Sequence, residues 1–226
     1  MNWVQLYSKK SRSMHNYDIL IIACSLAPNA SRAMLAWGFD PVRAKLVTAK
    51  CSWRAKGHSM EVFHVGNEDY IEEKFGAPWF YCHRVDLHEE LKRLATEKAG
   101  KGIPVEVHLK SEVVRYVRLK DTMYHFLCSL SQDPRTPSVL LSNGQRVTGD
   151  LVVAADGVHT IAVEAILGRP NPAAPTDGYN FCYRFLIPSK EIAADPITKH
   201  FTEGDDGRMK FVVGDMKRIV WYPCRK

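Results

Sequence analysis

The stretch "GDLVVAADGVHTIAVEAILG", Gly149 to Gly168, decides how this chain is read. A short apolar run, Leu151 to Ala154, leads to Asp156-Gly157. From His159 the spacing predicts a helix, which Gly168 closes. Gly157 suits a backbone turn that a side chain would block. Just upstream, "SVLLSNGQRVTGD" holds Asn143-Gly144 between two apolar runs, the signature of a two-strand hairpin. "PVEVHLK", "EVVRYVRL" and "MYHFLCSL" precede it and also read as strands.

Further upstream, "HRVDLHEELKRLATEKAGKG" is the clearest helix. Asp86 with Glu89 makes a capping box, Leu87, Leu91 and Leu94 share one face, and Gly100 is the stop. "NASRAMLAW", residues 29–37, reads as a second helix, capped by Asn29 or Ser31 and stopped at Gly38. Cys51 to Val65 predicts two strands about Lys56-Gly57. Nearer the start, Ile19 to Ile22 is a β-branched run like a buried parallel strand. The turn after it, Ala23 to Leu26, contains no glycine, and the chain contains no G-x-G-x-x-G. Downstream of Gly168, the Pro-rich connector 169–178 changes the texture. "FCYRFLIP" and "MKFVVGDMKRIVWYPCRK" are strand-rich, with a turn at Gly214-Asp215.

The 226 residues suffice for one large domain or one and a half smaller ones, and a hydrophobic share of 46% is that of a globular core. The net charge of +6 comes from 31 basic and 25 acidic residues that are interspersed. No basic block points to nucleic acid. The six cysteines form neither a metal-type pair nor a disulfide framework, and they imply reduced, mostly buried thiols in a reducing compartment. The nine histidines give no metal-binding pattern, so no metal site is expected. The N-terminal apolar run is too short to span a bilayer and makes a poor signal peptide. The expectation is a soluble, cytoplasmic protein without stable membrane insertion.

The Asp150–Thr160 stretch resembles the Asp-Gly motif of the class A, group A flavin-dependent aromatic monooxygenases, in their salicylate-hydroxylase-like branch. "LAPNASRAMLAWG", "GAPWFYCHRVDLHEEL", "CYRFLIP" and "VWYPCR" resemble further segments of that family, in family order. The resemblance runs from about Ser25 to Lys226. It implies an α/β plus α+β architecture: part of an FAD-binding domain of the glutathione-reductase-like Rossmann type over 25–170, then the start of a β-sheet substrate domain over 171–226. Residues 1–24 match nothing in it. The family's glycine fingerprint should precede the Pro-Asn-Ala helix, and its second flavin motif should follow the substrate domain. The expectation is therefore the middle of such a protein, with a misjoined N-terminus and a missing C-terminal part.

The same resemblance implies a reaction. FAD is reduced by NAD(P)H, and one atom of O2 passes to an electron-rich ring of a small phenolic or polyketide-derived substrate, in secondary metabolism. Arg84 matches the arginine that reaches FAD. The bland reading is a surface arginine at a helix N-terminus, where the dipole disfavours a cation. Asp156 and Gly157 match the cofactor-organising Asp-Gly pair; the bland reading of Asp156 is a hydrogen-bonded structural role. Arg184 matches a residue that stabilises a phenolate or carboxylate, and Tyr222 one that hydrogen-bonds the same oxygen. For these two the bland readings are a solvent-facing strand arginine and a core-edge tyrosine. His159 and Tyr183 have no stronger claim than neighbourhood. Trp37, Trp53 and Trp79 read as core. The alternative of another class is a non-catalytic remnant that holds no FAD, which the missing glycine loop favours.

Overall fold

The computed structural model describes residues 23–98, 102–117, 136–157, 160–170, 186–204, 206–215 and 217–225. They fall into two compact units. Residues up to 95 and from 186 onward make one, and residues 96–170 make the other.

In the first unit, β1 (Ala23–Leu26) leads into α1 (Pro28–Ala36). Then come β2 (Val47–Thr48), β3 (Cys51–Lys56), β4 (Val62–Asn67) and α2 (Ile71–Phe75). β5 (Phe80–His83) runs straight into α3 (Arg84–Thr96). The strands β1, β5 and β2 form an antiparallel sheet with β5 central. β5 alternates, as a strand with two covered faces must. Phe80 and Cys82 enter a core with Met34, Phe39, Ala44 and Leu46, onto which Leu87, Leu91 and Leu94 of α3 pack. Tyr81 faces the other way, into a core with Val47, Ala49 and Met209.

The second unit holds β6 (Val113–Val117), β7 (Ser138–Leu141), β8 (Arg146–Thr148) and α4 (Ala162–Leu167). Its three strands pair antiparallel in sequence order. Val113, Val139 and Leu141 are its buried apolar centre. The expected turn is present, with Gly144 at φ +85°, a conformation that favours glycine. Gly168 ends α4 at φ +73°, also as expected.

The chain returns to the first unit with α5 (Ser189–Ala194), a single 3-10 turn over Lys199–Phe201, and the hairpin β9 (Arg208–Gly214) and β10 (Lys217–Trp221). β9 pairs parallel with β3, giving a mixed sheet of order β10-β9-β3-β4. Gly207 makes this join possible. Its carbonyl accepts from the Lys50 amide at 2.9 Å, and a Cβ on it would lie 2.2 Å from the Thr48 carbonyl oxygen. One face of the sheet is closed by rings. Trp53 and Phe201 each meet Trp221 edge-on at 5.6 Å. The Lys210 ammonium lies 5.6 Å from the centroid of the Trp221 ring and donates to the Phe201 carbonyl.

Several local expectations need correction. α1 begins at Pro28, with Ala27 as a cap that offers no side-chain bond, because proline is already shaped for a first helical position. Asn29 and Ser31 therefore lie inside the helix, and the Ser31 hydroxyl donates to the Pro78 carbonyl at 2.5 Å. Trp37 stands past the helix end and is 68% exposed, not core. Asp86 is not a cap, because α3 starts two residues earlier. "PVEVHLK" forms no strand, and its Leu109 is exposed. Leu151–Ala154 is also irregular: Val152 packs on the Val113 cluster while Leu151 and Val153 face outward. Ile19 to Ile22, Gly100 and the strand expected over 123–130 lie outside the described residues.

Candidate functional site

In the first unit, two distant parts of the sequence meet at the start of α3. β5 delivers His83, and the first helical turn presents Arg84 and Asp86. The segment after β10 brings Arg225. Its guanidinium grips both carboxylate oxygens of Asp86, Nε to Oδ2 at 2.6 Å and Nη2 to Oδ1 at 2.8 Å. A fork of this kind is the strongest geometry available to such a pair. Burial alone would raise the Asp86 pKa, but the hydrogen bonds and charge of Arg225 outweigh it, and the group lies below the usual range. His83 Nδ1 accepts from the Val85 amide at 3.3 Å and lies 3.4 Å from Arg225 Nη2. Burial, then the Arg225 charge, hold that imidazole below its ordinary pKa.

Arg84 is exposed, and its guanidinium makes no hydrogen bond or ion pair among the described residues. Asp86, two residues on, is already neutralised. The first turn of α3 therefore offers one uncommitted cation beside backbone amides, whose own partial charge is positive.

Tyr222, three residues before Arg225, packs on Tyr81 with ring centroids 4.8 Å apart. Trp79 continues the cluster, 6.5 Å from Tyr81, and its indole N–H donates to the Ser25 hydroxyl at 2.6 Å. Burial, helped by the Glu68 charge, pushes the Tyr81 phenol far above its ordinary pKa, so it stays protonated. Behind it, Cys82 lies opposite Cys24 across β5 and β1. Its thiol is pushed up to about 12, chiefly by burial.

A second acid on α3 has a different role. Glu90 is 3% exposed. It accepts from Arg93 at 2.9 and 2.7 Å and from the Asp40 amide at 3.3 Å, and Arg43 lies 3.6 Å away. The Arg93 bonds are the main reason its pKa is lowered. This network ties the loop after α1 to α3 and is a structural feature.

In the second unit, Asp156 and Gly157 follow the irregular run. Gly157 has φ +82°, and a Cβ there would meet nothing within 4 Å. The position needs glycine for its backbone, not for space. The Asp156 carboxylate and the Thr160 hydroxyl lie beside the Tyr116 phenol. Burial, then the Asp156 charge, raise the pKa of that phenol. Asp156 Oδ1 is buried with no hydrogen-bond partner among the described residues, an acceptor still lacking a donor.

Of the residues singled out from sequence, Arg84 and Tyr222 lie in the first unit, and Asp156 and Gly157 in the second. Arg184, His159 and Tyr183 lie outside the described residues. Sequence reasoning missed Arg225 and Tyr81. Arg225 and Asp86 are 139 residues apart, and no spacing rule links residues so distant. Tyr81 sat inside a quoted motif, but its role depends on Tyr222 reaching it. Among the described residues no group of acids, histidines or cysteines is placed to hold a metal, and no helix is long and apolar enough to cross a membrane.

No protein-family model matches the chain. It is 35% identical over 203 residues to the FAD-dependent monooxygenase phomE' of Diaporthe leptostromiformis, covering 90% of this chain and 47% of that protein. It is 33% identical over 225 residues to the FAD-dependent monooxygenase cfoG of Aspergillus candidus, covering 98% of this chain and 47% of that one. In structure it is similar to Klebsiella pneumoniae HpxO complexed with FAD and uric acid, with a TM-score of 0.60 at 17% identity, over 96% of this chain and 46% of that one. The chain thus spans about half the length of the curated relatives it matches. With its sequence aligned over nine-tenths of its length and its fold shared with an FAD-complexed protein, the chain belongs to the FAD-dependent monooxygenases.

Proposed function

We propose that this chain is part of an FAD- and NAD(P)H-dependent monooxygenase that hydroxylates a phenolic or polyketide-derived aromatic ring. Residues 25–170 would contribute to the FAD side and 171–226 to the substrate side, in the cytoplasm. The observation that carries the reading is the sequence likeness to FAD-dependent monooxygenases over 90% of the chain.

Each unit, taken by itself, offers a group that suits such a cofactor. The exposed Arg84 guanidinium at the first turn of α3 suits a diphosphate oxygen. The unpartnered Asp156 Oδ1 suits a hydroxyl donor. When bound, FAD would supply the oxygen-activating chemistry. The chain's own residues would orient and polarise the substrate. Arg184 would hold a phenolate or carboxylate, and Tyr222, braced on Tyr81, would hydrogen-bond the same oxygen and fix the ring.

One observation favours a second reading, in which this chain alone holds no FAD: the sequence has no G-x-G-x-x-G, and that loop supplies the backbone amides for the diphosphate. Titrating the purified chain with FAD, followed by flavin fluorescence, separates the two. Stoichiometric binding that Arg84→Ala weakens supports the first. Absence of binding leaves the second.

A further inference from the structure

The first unit gathers three thiols in one place. Cys24 of β1 and Cys82 of β5 are register partners across an antiparallel pair. Their side chains therefore leave the sheet on the same face, and both pack in the core around Met34 and Phe80. The Cys82 sulfur leans toward β1, 3.6 Å from the Cys24 carbonyl oxygen. Cys224 comes in from the segment after β10, which the Arg225–Asp86 fork holds at the start of α3. Its thiol feels the charge of Cys24.

The two strand cysteines have the spacing that a disulfide needs. Register partners in an antiparallel pair have Cα atoms about 4.5–5.5 Å apart, inside the roughly 4.4–6.8 Å that a disulfide spans. They differ in access, since Cys82 is fully buried and Cys24 half-buried. Burial also keeps Cys82 protonated, with its pKa pushed up to about 12. An oxidant arriving from solvent therefore meets Cys24 first. Cys51 is a contrast within the same unit. Its register partners are Asn67 and Arg208, and its sulfur accepts from the Arg208 guanidinium at 3.2 Å. It faces no second thiol in the sheet.

We propose that Cys24 and Cys82 form a reversible redox pair, with Cys24 as the peroxide-sensitive thiol and Cys82 as the thiol that resolves it. In the first step the Cys24 thiolate attacks hydrogen peroxide. An S–O bond forms, the O–O bond breaks, and the departing hydroxide takes up the proton that Cys24 released. In the second step the Cys82 sulfur attacks the Cys24 sulfur. The S–S bond forms, the S–O bond breaks, and the departing hydroxide leaves as water with the Cys82 proton. Both thiols are oxidised to one disulfide, and the peroxide is reduced to water. A thiol reductant reverses the link by exchange at the half-buried Cys24 sulfur. The link ties β1 to β5 directly before His83 and Arg84. The pair stands on strand register and does not depend on the flavin reading.

The test treats the full chain with a small excess of hydrogen peroxide at low protein concentration. Remaining thiols are then alkylated under denaturing conditions, and the digest is mapped by mass spectrometry. The expected product is a peptide pair joining Cys24 to Cys82, with Cys51 alkylated, and dithiothreitol should remove the link. Cys24→Ser should abolish the link and leave Cys82 alkylated after the same treatment. Cys224→Ser should form it at the wild-type rate. Cys24 packs on the core, so a melting curve accompanies its variant. If Cys24→Ser unfolds, the wild-type and Cys224→Ser maps decide the matter. Three results overturn the proposal: Cys24 joined to Cys224 or to a second chain, Cys24 as a sulfinic acid beside a free Cys82, or Cys24 still a free thiol at a peroxide level that oxidises free cysteine.

Discussion

The β6-β7-β8 sheet is built from successive strands, while β10-β9-β3-β4 joins segments such as Cys51 and Arg208, 157 residues apart. The first sheet folds on local cues. Asn143 accepts from the Gln145 amide at 2.9 Å, Gly144 turns the chain, and the register follows. The second has no local cue for its parallel pair. It depends on a backbone join at Gly207, on rings that meet only in the folded state, and on the Arg225–Asp86 fork. Local sheets lose little when one distant contact fails. A sheet closed by distant contacts depends on each of them, since loop closure must be offset before any pairing is gained.

The comparison breaks most sharply at Gly207. Gly207→Ala puts a Cβ into the Thr48 carbonyl, at 2.2 Å, on a backbone with φ +81°. It should cost about 3 kcal/mol or more. Hydrogen exchange should show β3 and β9 losing protection while β7 keeps its own. If β7 opens equally, the two units are a single cooperative body and the contrast fails.

Glu90 gives the next largest effect. Glu90→Gln removes the buried negative charge that Arg93 grips, at about 2–3 kcal/mol. The wild-type pH profile adds a sign. The Glu90 pKa is lowered on folding from 4.5, so its stabilisation is complete above that value and is lost as the pH falls through the depressed one. Denaturant midpoints measured from pH 7 down to pH 3 should fall in the wild type and fall less in Glu90→Gln. Parallel curves would rule Glu90 out as the acid-sensitive group.

In the local sheet, Gly144→Ala should cost about 1–2 kcal/mol, from the left-handed backbone alone, since no atom stands within 4 Å of the new Cβ. β7 and β8 should lose amide protection and β9 should not.

Arg225→Ala is the smallest. Its side chain is 45% exposed, so solvent screens the fork, and the loss should be about 1 kcal/mol or less. It should nevertheless raise the pKa of His83 measured by NMR, because the Arg225 charge helps to hold it down. An unmoved imidazole titration would show that burial alone sets that value. The stability tied to His83 has the matching sign. Its pKa is lowered on folding, so the stabilisation is present above the ordinary histidine value and is lost as the pH falls below it.

The sequence by itself determined the local pieces. The Leu87, Leu91 and Leu94 stripe, the Asn143-Gly144 turn, the hairpin at Gly214-Asp215 and the Gly168 stop are all where their periods and glycines put them. The motifs around Asp156 and Arg84 also identified the family. Some local cues misled, since Asp86 carries a capping signature yet serves Arg225, and Trp37 looks like core yet stands exposed. Tertiary structure alone decided that β3 pairs with β9, that Tyr222 rests on Tyr81, and that Arg225 grips Asp86. The physical reason is range. Backbone propensity and side-chain period act over a few residues, whereas these contacts form only when apolar burial brings remote strands together, and nothing in the local chemistry of either partner records the other.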